Sequence, residues 1–93
     1  MTLVVKMTID EPFIDEVSDE LKKLHKATLE QDKGCIQYDL HKVVNDKNSF
    51  TLIEKWKDVN SLEEHKNKEH FTNFMKRTDG KIKNFEANIL DQI

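Results

Sequence analysis

Apolar and polar residues alternate over positions 2–9, where Leu3, Val5, Met7 and Ile9 are set against Val4, Lys6 and Thr8. A period of two predicts a strand with one strongly apolar face, because successive strand side chains point to opposite sides. The period then lengthens. Phe13, Val17, Leu21 and Leu24, with Ile14 beside them, recur at helical spacing behind Asp10 as a cap and Pro12 in the first turn, so a helix is predicted to run to about Asp32. Its early turns hold Glu11, Asp15, Glu16, Asp19 and Glu20, and Lys22, Lys23 and Lys26 follow. That order complements the helix dipole and marks a solvated face rather than a site. His25 lies off the apolar stripe and carries no functional expectation.

Gly34 ends the next loop, and Cys35 to Val44 reads as a second strand with Ile36, Tyr38 and Leu40 on one face. Asn45, Asp46, Lys47 and Asn48 are turn formers, which predicts a hairpin onto a strand from Phe50 to Lys57. Alternation there puts Phe50, Leu52, Glu54 and Trp56 on one face. An odd-length loop joins this face to that of Ile36, Tyr38 and Leu40, whereas an even loop or a bulge inverts it, so the pattern leaves the pairing open. Asp58 or Ser61 opens the next helix, and Ser61 with Glu64 has the form of a capping box. The helix carries Leu62, His65, Phe71, Phe74 and Met75 with a break near Asn67, and Thr78, Asp79 and Gly80 stop it. A last strand from Asn84 to Leu90 has Phe85, Ala87 and Ile89 on one face.

The order strand, helix, strand, strand, helix, strand predicts an α+β fold, a ferredoxin-like βαββαβ sandwich with both helices on one side of an antiparallel sheet. The other side, with Val4, Thr8, Cys35, Gln37, Val43, Thr51 and Ile53, is half apolar. It must be solvated or covered by another chain.

At 93 residues the chain is expected to form one domain spanning 1–93, long enough for a modest core. Charged residues reach 35%, yet the periodic placement of the apolar ones, with five Phe, one Trp and one Tyr among them, marks a folded chain. A net charge of −3 argues against a general nucleic-acid binder. One cysteine, Cys35, allows no internal disulfide. It reads as a small buried hydrophobe rather than a nucleophile, since no base neighbours it in sequence. The start MTLVVKMTID lacks the regions of a signal peptide and no apolar run is long enough to span a bilayer, so a cytoplasmic location without membrane contact is expected.

The chemistry gathers around Glu54, a carboxylate on a strand face otherwise occupied by large apolar groups. Burying it is costly unless it finds a partner, and the nearest in sequence are His65 and His70. The result is either a small site or a satisfied core pair. His65 and His70 are five residues apart, which on a continuous helix separates them by about 140°, and no HExxH is present, so no metal is expected. Facing the sheet, His65 meets Glu54 or Tyr38, and an imidazole with an unperturbed pKa of about 6.5 suits proton abstraction. Trp56 reads equally as core or as pocket wall. The basic bias from Lys66 to Lys83, which includes Arg77, either steers an anionic ligand or is solvated surface.

The ordered set Gly34, Cys35, Tyr38, Leu40, Glu54, Trp56, Leu62, His65, His70 and Phe71 resembles the antibiotic biosynthesis monooxygenase family of small cofactor-free quinol monooxygenases, and the likeness runs from the first strand to the last. The resemblance implies a homodimer pairing sheet to sheet as a dimeric α/β barrel. It also implies oxidation of a quinol or related phenol by dioxygen without cofactor or metal. In that reading His65 is the base, Glu54 its orienting partner, and Trp56, Tyr38, Phe71 and Phe74 the walls of the substrate pocket. Relatives that degrade haem differ where it matters, because their tryptophan falls at His65 and their haem-ligating histidine at Met75. Two other classes are an enzyme acting without oxygen on a small phosphorylated carbonyl, such as an isomerase, for which Arg77 and the nearby lysines would matter, and a dimeric binding module without turnover. A phosphate requirement would mark the first, and saturable binding without oxygen uptake the second.

Overall fold

The computed structural model describes residues 1–93. Strand β1 (Thr2–Ile9) leads through a short 3-10 turn (Glu11–Phe13) into helix α1 (Ile14–Gln31), followed by β2 (Cys35–Val43), β3 (Asp46–Trp56), α2 (Val59–Asn67), α3 (Glu69–Arg77) and β4 (Ile82–Leu90). The four strands form one antiparallel sheet in the order β2-β3-β1-β4, the ferredoxin-like α+β arrangement with the helices against one face. No helix is long and apolar enough to cross a membrane.

Alternation decides what is buried. Leu3, Val5, Met7 and Ile9 of β1 and Phe50, Leu52 and Trp56 of β3 meet Val17, Leu21 and Leu24 of α1, Leu62 of α2 and Phe74 of α3 in one core. Each such side chain contributes roughly 1.5–3 kcal/mol on leaving water. Tyr38 lies directly opposite Glu54 and Leu40 opposite Leu52, so the β2 and β3 faces join.

Two local irregularities move residues from their expected places. A bulge between Cys35 and Gln37 turns Ile36 outward, where it is 68% exposed instead of sharing the face of Tyr38. The polar run expected as the turn is part of β3. The reversal occurs at Val44 and Asn45, with Asn45 in the left-handed region at φ 66°, and residues 47–49 form a three-residue bulge against β2 between paired Asp46 and Phe50. The Asp46 carboxylate holds that bulge by accepting from the Asn48 amide at 3.1 Å and the Ser49 hydroxyl at 2.7 Å. On β4, Phe85, Ala87 and Ile89 share the inner face with Met7, Val5 and Leu3, but the helices do not cover them, and Phe85 and Ile89 stay 51% and 57% exposed.

The helical segment after β3 starts at Asp58, whose carboxylate accepts from the Ser61 amide at 2.8 Å. Ser61 is therefore not the cap. Its side chain packs against Gly34 so closely that a Cβ on Gly34 would overlap the Ser61 Cβ and hydroxyl. This approach seats α2 against the loop that leaves α1. Gly34→Ala is expected to cost roughly 1–3 kcal/mol by overpacking, and Ser61→Gly in the same chain should recover most of it. Thermal unfolding of the two single variants and the double variant checks this, and a single alanine variant as stable as wild type would refute the close fit.

Candidate active site

Lys68 interrupts the second helical segment. Its backbone is extended (φ −80°, ψ 153°), and its carbonyl accepts the Phe71 and Thr72 amides at the start of α3. The break redirects the chain, and it overturns the expectation that His70 points away from His65. The two imidazoles lie with ring centroids 5.6 Å apart, and both meet the carboxylate of Asp32, the residue capping the end of α1. His65 Nδ1 is 2.6 Å and His70 Nε2 2.8 Å from the same Oδ2, and Lys68 Nζ is 2.8 Å from Oδ1 while it donates to the Gln31 carbonyl.

Asp32 is thus the orienting partner of His65, not Glu54 as the sequence suggested. Burial pushes the Asp32 carboxyl up, but Lys68, His65 and His70 together outweigh it and hold it below the usual carboxylate range. An ionised carboxylate only accepts hydrogen bonds, so His65 carries its proton on Nδ1 and leaves Nε2 without a protein partner. Burial pulls the His65 imidazole below 6.5, and Asp32 only partly opposes this. The ring is held by Trp56 at 4.7 Å, Phe71 at 5.1 Å and Tyr38 at 5.7 Å between centroids.

Glu54 has a different partner. Trp56 Nε1 donates to its Oε1 at 2.9 Å, and burial raises its pKa to about 7, with Trp56 and then Lys66 opposing. Tyr38, beneath His65, is pushed well above the usual phenol range first by burial and then by the Glu54 charge, so its hydroxyl stays protonated. The Cys35 thiol is raised to about 11, chiefly by burial, which makes it a poor nucleophile.

His65 and Glu54 share a cavity of about 290 Å3 between the inner sheet face and the helices α2 and α3. Leu3, Val5, Leu62, Phe71, Met75, Phe85, Ala87 and Ile89 line it, with Lys66 as its one cationic residue. Of the expected pocket walls only Phe71 faces this space. Trp56, Tyr38 and Phe74 are buried in the core instead, Trp56 holding Glu54 and Tyr38 packing under His65. Met75 and the β4 residues were missed as walls, although the period-two run ending in Ile89 pointed to that face. A larger hollow of about 460 Å3 on the opposite sheet face, lined by Lys6, Thr8, Ser49, Thr51, Asn84 and Glu86 among others, has neither imidazole nor buried acid and offers less chemistry.

Asp32, His65 and His70 are also the residues that could hold a metal, with ligand atoms within 4.8 Å of one another. The Lys68 ammonium already supplies the positive charge beside that carboxylate, and both imidazoles serve its Oδ2 as donors, so the cluster is accounted for as an ion network without a metal. Part of the basic run is likewise paired: Lys66 with Glu63, Arg77 with Glu20 and Lys81 with Glu16.

Glu54 generates a stability prediction. Its folded pKa lies above the unfolded value of 4.5, so the native state holds the proton more tightly and stability falls as pH rises between 4.5 and about 7. The loss amounts to about 3 kcal/mol at most. Glu54→Gln removes it, so the melting temperature of this variant relative to wild type should rise between about pH 5 and pH 8. A constant difference across that range would contradict the raised pKa.

The comparisons with known proteins agree with this architecture. The family model "Antibiotic biosynthesis monooxygenase" matches residues 1–77. The crystal structure of PA3566 from Pseudomonas aeruginosa is 33% identical, with 99% of this chain and 92% of that one covered and a TM-score of 0.91. A crystal structure named "antibiotic biosynthesis monooxygenase" is 26% identical, covering 99% and 97% of the two chains, also with a TM-score of 0.91. A curated relative, "Putative monooxygenase YcnE" of Bacillus subtilis (strain 168), is 39% identical over 44 residues, which are 47% of this chain and only 46% of that one. With its strand order, its helices on one sheet face and a matching family model over most of its length, the chain belongs to the antibiotic biosynthesis monooxygenase family.

Proposed function

We propose that the protein is a cofactor-independent monooxygenase that oxidises a quinol or related phenol with dioxygen, using His65 as the base. One observation carries this reading: an imidazole with its proton fixed on Nδ1 by Asp32 lines an apolar cavity that also holds a carboxyl with a pKa of about 7. His65 Nε2 removes the phenolic proton, and the electron-rich phenolate reduces dioxygen. Overall a phenol and dioxygen give a quinone and water, or a quinol gives a hydroxyquinone and water. The substrate supplies all four electrons, so the balance needs no external reductant. Protonated Glu54 donates to the developing peroxide negative charge, and the apolar lining keeps water from the intermediate. Arg77, the anchor a phosphorylated carbonyl would need, is paired with Glu20 and lies outside this cavity. A non-oxidative reading therefore has less support.

His65→Asn keeps a donor at the Nδ1 position for Asp32 and removes the base. Oxygen uptake with a panel of quinols should fall by on the order of a hundredfold or more, with the melting temperature near that of wild type. Wild-type activity should decline on the acid side as His65 protonates below 6.5 and on the alkaline side near 7 as Glu54 ionises. Unchanged turnover in folded His65→Asn would end the assignment. Saturable quinol binding without oxygen uptake by wild type would instead mark a binding module.

The same reading includes a homodimer. Its support is the uncovered outer sheet face, where Val4, Thr51 and Ile53 are only partly buried within one chain. Sedimentation at micromolar concentration should give twice the 11.0 kDa of the chain, and a monomer would refute it.

A further inference from the structure

Asp32 has more partners than the orientation of one imidazole requires. Its Oδ2 accepts from His65 at 2.6 Å and from His70 at 2.8 Å, and the Lys68 ammonium stands 2.8 Å from Oδ1 without an aligned hydrogen bond to it. His70 itself does not line the cavity that holds Glu54 and His65. It lies on α3 against a separate cleft of about 160 Å3 shared with Glu20, Lys23 and Arg77. Its side chain is nonetheless only 9% exposed, and its contact with the cavity chemistry runs through the Asp32 oxygen.

We infer that His70 is a positioning residue for the His65 base: by donating its Nε2–H to the same Asp32 oxygen from the far side of the helix break, it fixes the carboxylate that sets the His65 tautomer. The inference rests on the proposed role of His65 for its kinetic consequence, but the tautomer can be read without any turnover. A carboxylate torsion is broad and nearly two-fold, so an aspartate with one donor can rotate and present either oxygen. Two donors from separately anchored helices meet at one point and remove that freedom. With Oδ2 fixed as an acceptor 2.6 Å from Nδ1, the His65 tautomer with its proton on Nε2 would set two lone pairs against each other. Only the Nδ1–H form then presents a basic Nε2 to the cavity. Lys68 contributes charge to this arrangement, while His70 contributes direction.

Nitrogen-15 spectra of the histidine imidazoles in the full chain, taken at about pH 8, above the ordinary imidazole range, should show His65 as the Nδ1–H tautomer and His70 as the Nε2–H tautomer. In His70→Leu the His65 signals should move toward a mixture of tautomers. There kcat should drop roughly tenfold to a hundredfold with KM near wild type, and His70→Gln, which can still donate to Oδ2, should recover both. Folded His70→Leu with His65 wholly in the Nδ1–H form would overturn the inference. If that variant does not fold, the wild-type spectrum decides alone, because His70 as the Nδ1–H tautomer, or His65 as the Nε2–H tautomer, overturns it equally. Absence of quinol oxidation by wild type would refute the base reading and leave the tautomer result standing.

Discussion

A carboxylate buried at the end of the first helix has to be neutralised, and the way this is done shapes the remainder of the site. The Asp32 side chain is 3% exposed. Its desolvation is offset only because His65 from α2, Lys68 from the break and His70 from α3 all reach it. A continuous helix from Val59 to Arg77 would carry the two histidines on faces about 140° apart, so it could offer one of them but not both. The interruption at Lys68 is therefore tied to the charge it serves. Gly34, two residues beyond Asp32, completes the constraint, since the close approach of Ser61 sets how α2 meets the end of α1. One buried charge thus joins three helices and the start of β2.

The site holds a second buried carboxyl, and its fate is the opposite. Glu54 has a neutral indole donor and only the weaker pull of the Lys66 charge, so burial prevails and its pKa rises to about 7. Asp32 has two imidazole donors and the Lys68 ammonium beside it, and stays below the ordinary range. His65 sits between an acid held ionised and an acid that keeps its proton up to about pH 7, a division of environments that lets two like groups take different roles. Neither environment depends on the identity of the residue alone. Exchange the partners, and the roles exchange with them.

Period-two alternation in β1 and β3, and the turn chemistry after Thr78, carried the fold in the sequence, because those signals are local. The same alternation marked Glu54 as a buried acid, and the polar gap near Asn67 marked the break. The sequence could not show that Asp32 is the partner of His65, for the two are 33 positions apart and a terminal aspartate resembles any solvated helix end. Nor could it show His70, since a helical wheel assumes the regular rise that Lys68 abolishes. Ile36 went astray for the related reason that a one-residue bulge changes the face of a side chain without changing the pattern. The aromatic residues were assigned to the pocket by chemical type, whereas Trp56 and Tyr38 are buried in the core, out of reach of a ligand.

The exposed side of the cavity bears on the chemistry as well as on shape. Phe85 and Ile89 belong to its wall yet remain half exposed, because the helices end short of β4. A flat apolar ligand lying across them removes that surface from water, at about 25 cal/mol per Å2 of apolar area, and closes the space over Glu54 and His65. Displacing water there deepens the burial that already raises the Glu54 pKa and lowers that of His65. Binding then favours the protonated form of Glu54 and the neutral form of His65 together, the forms the proposed reaction uses. An unliganded cavity open along β4 is thus compatible with chemistry that needs dryness, provided that the substrate itself supplies the missing wall.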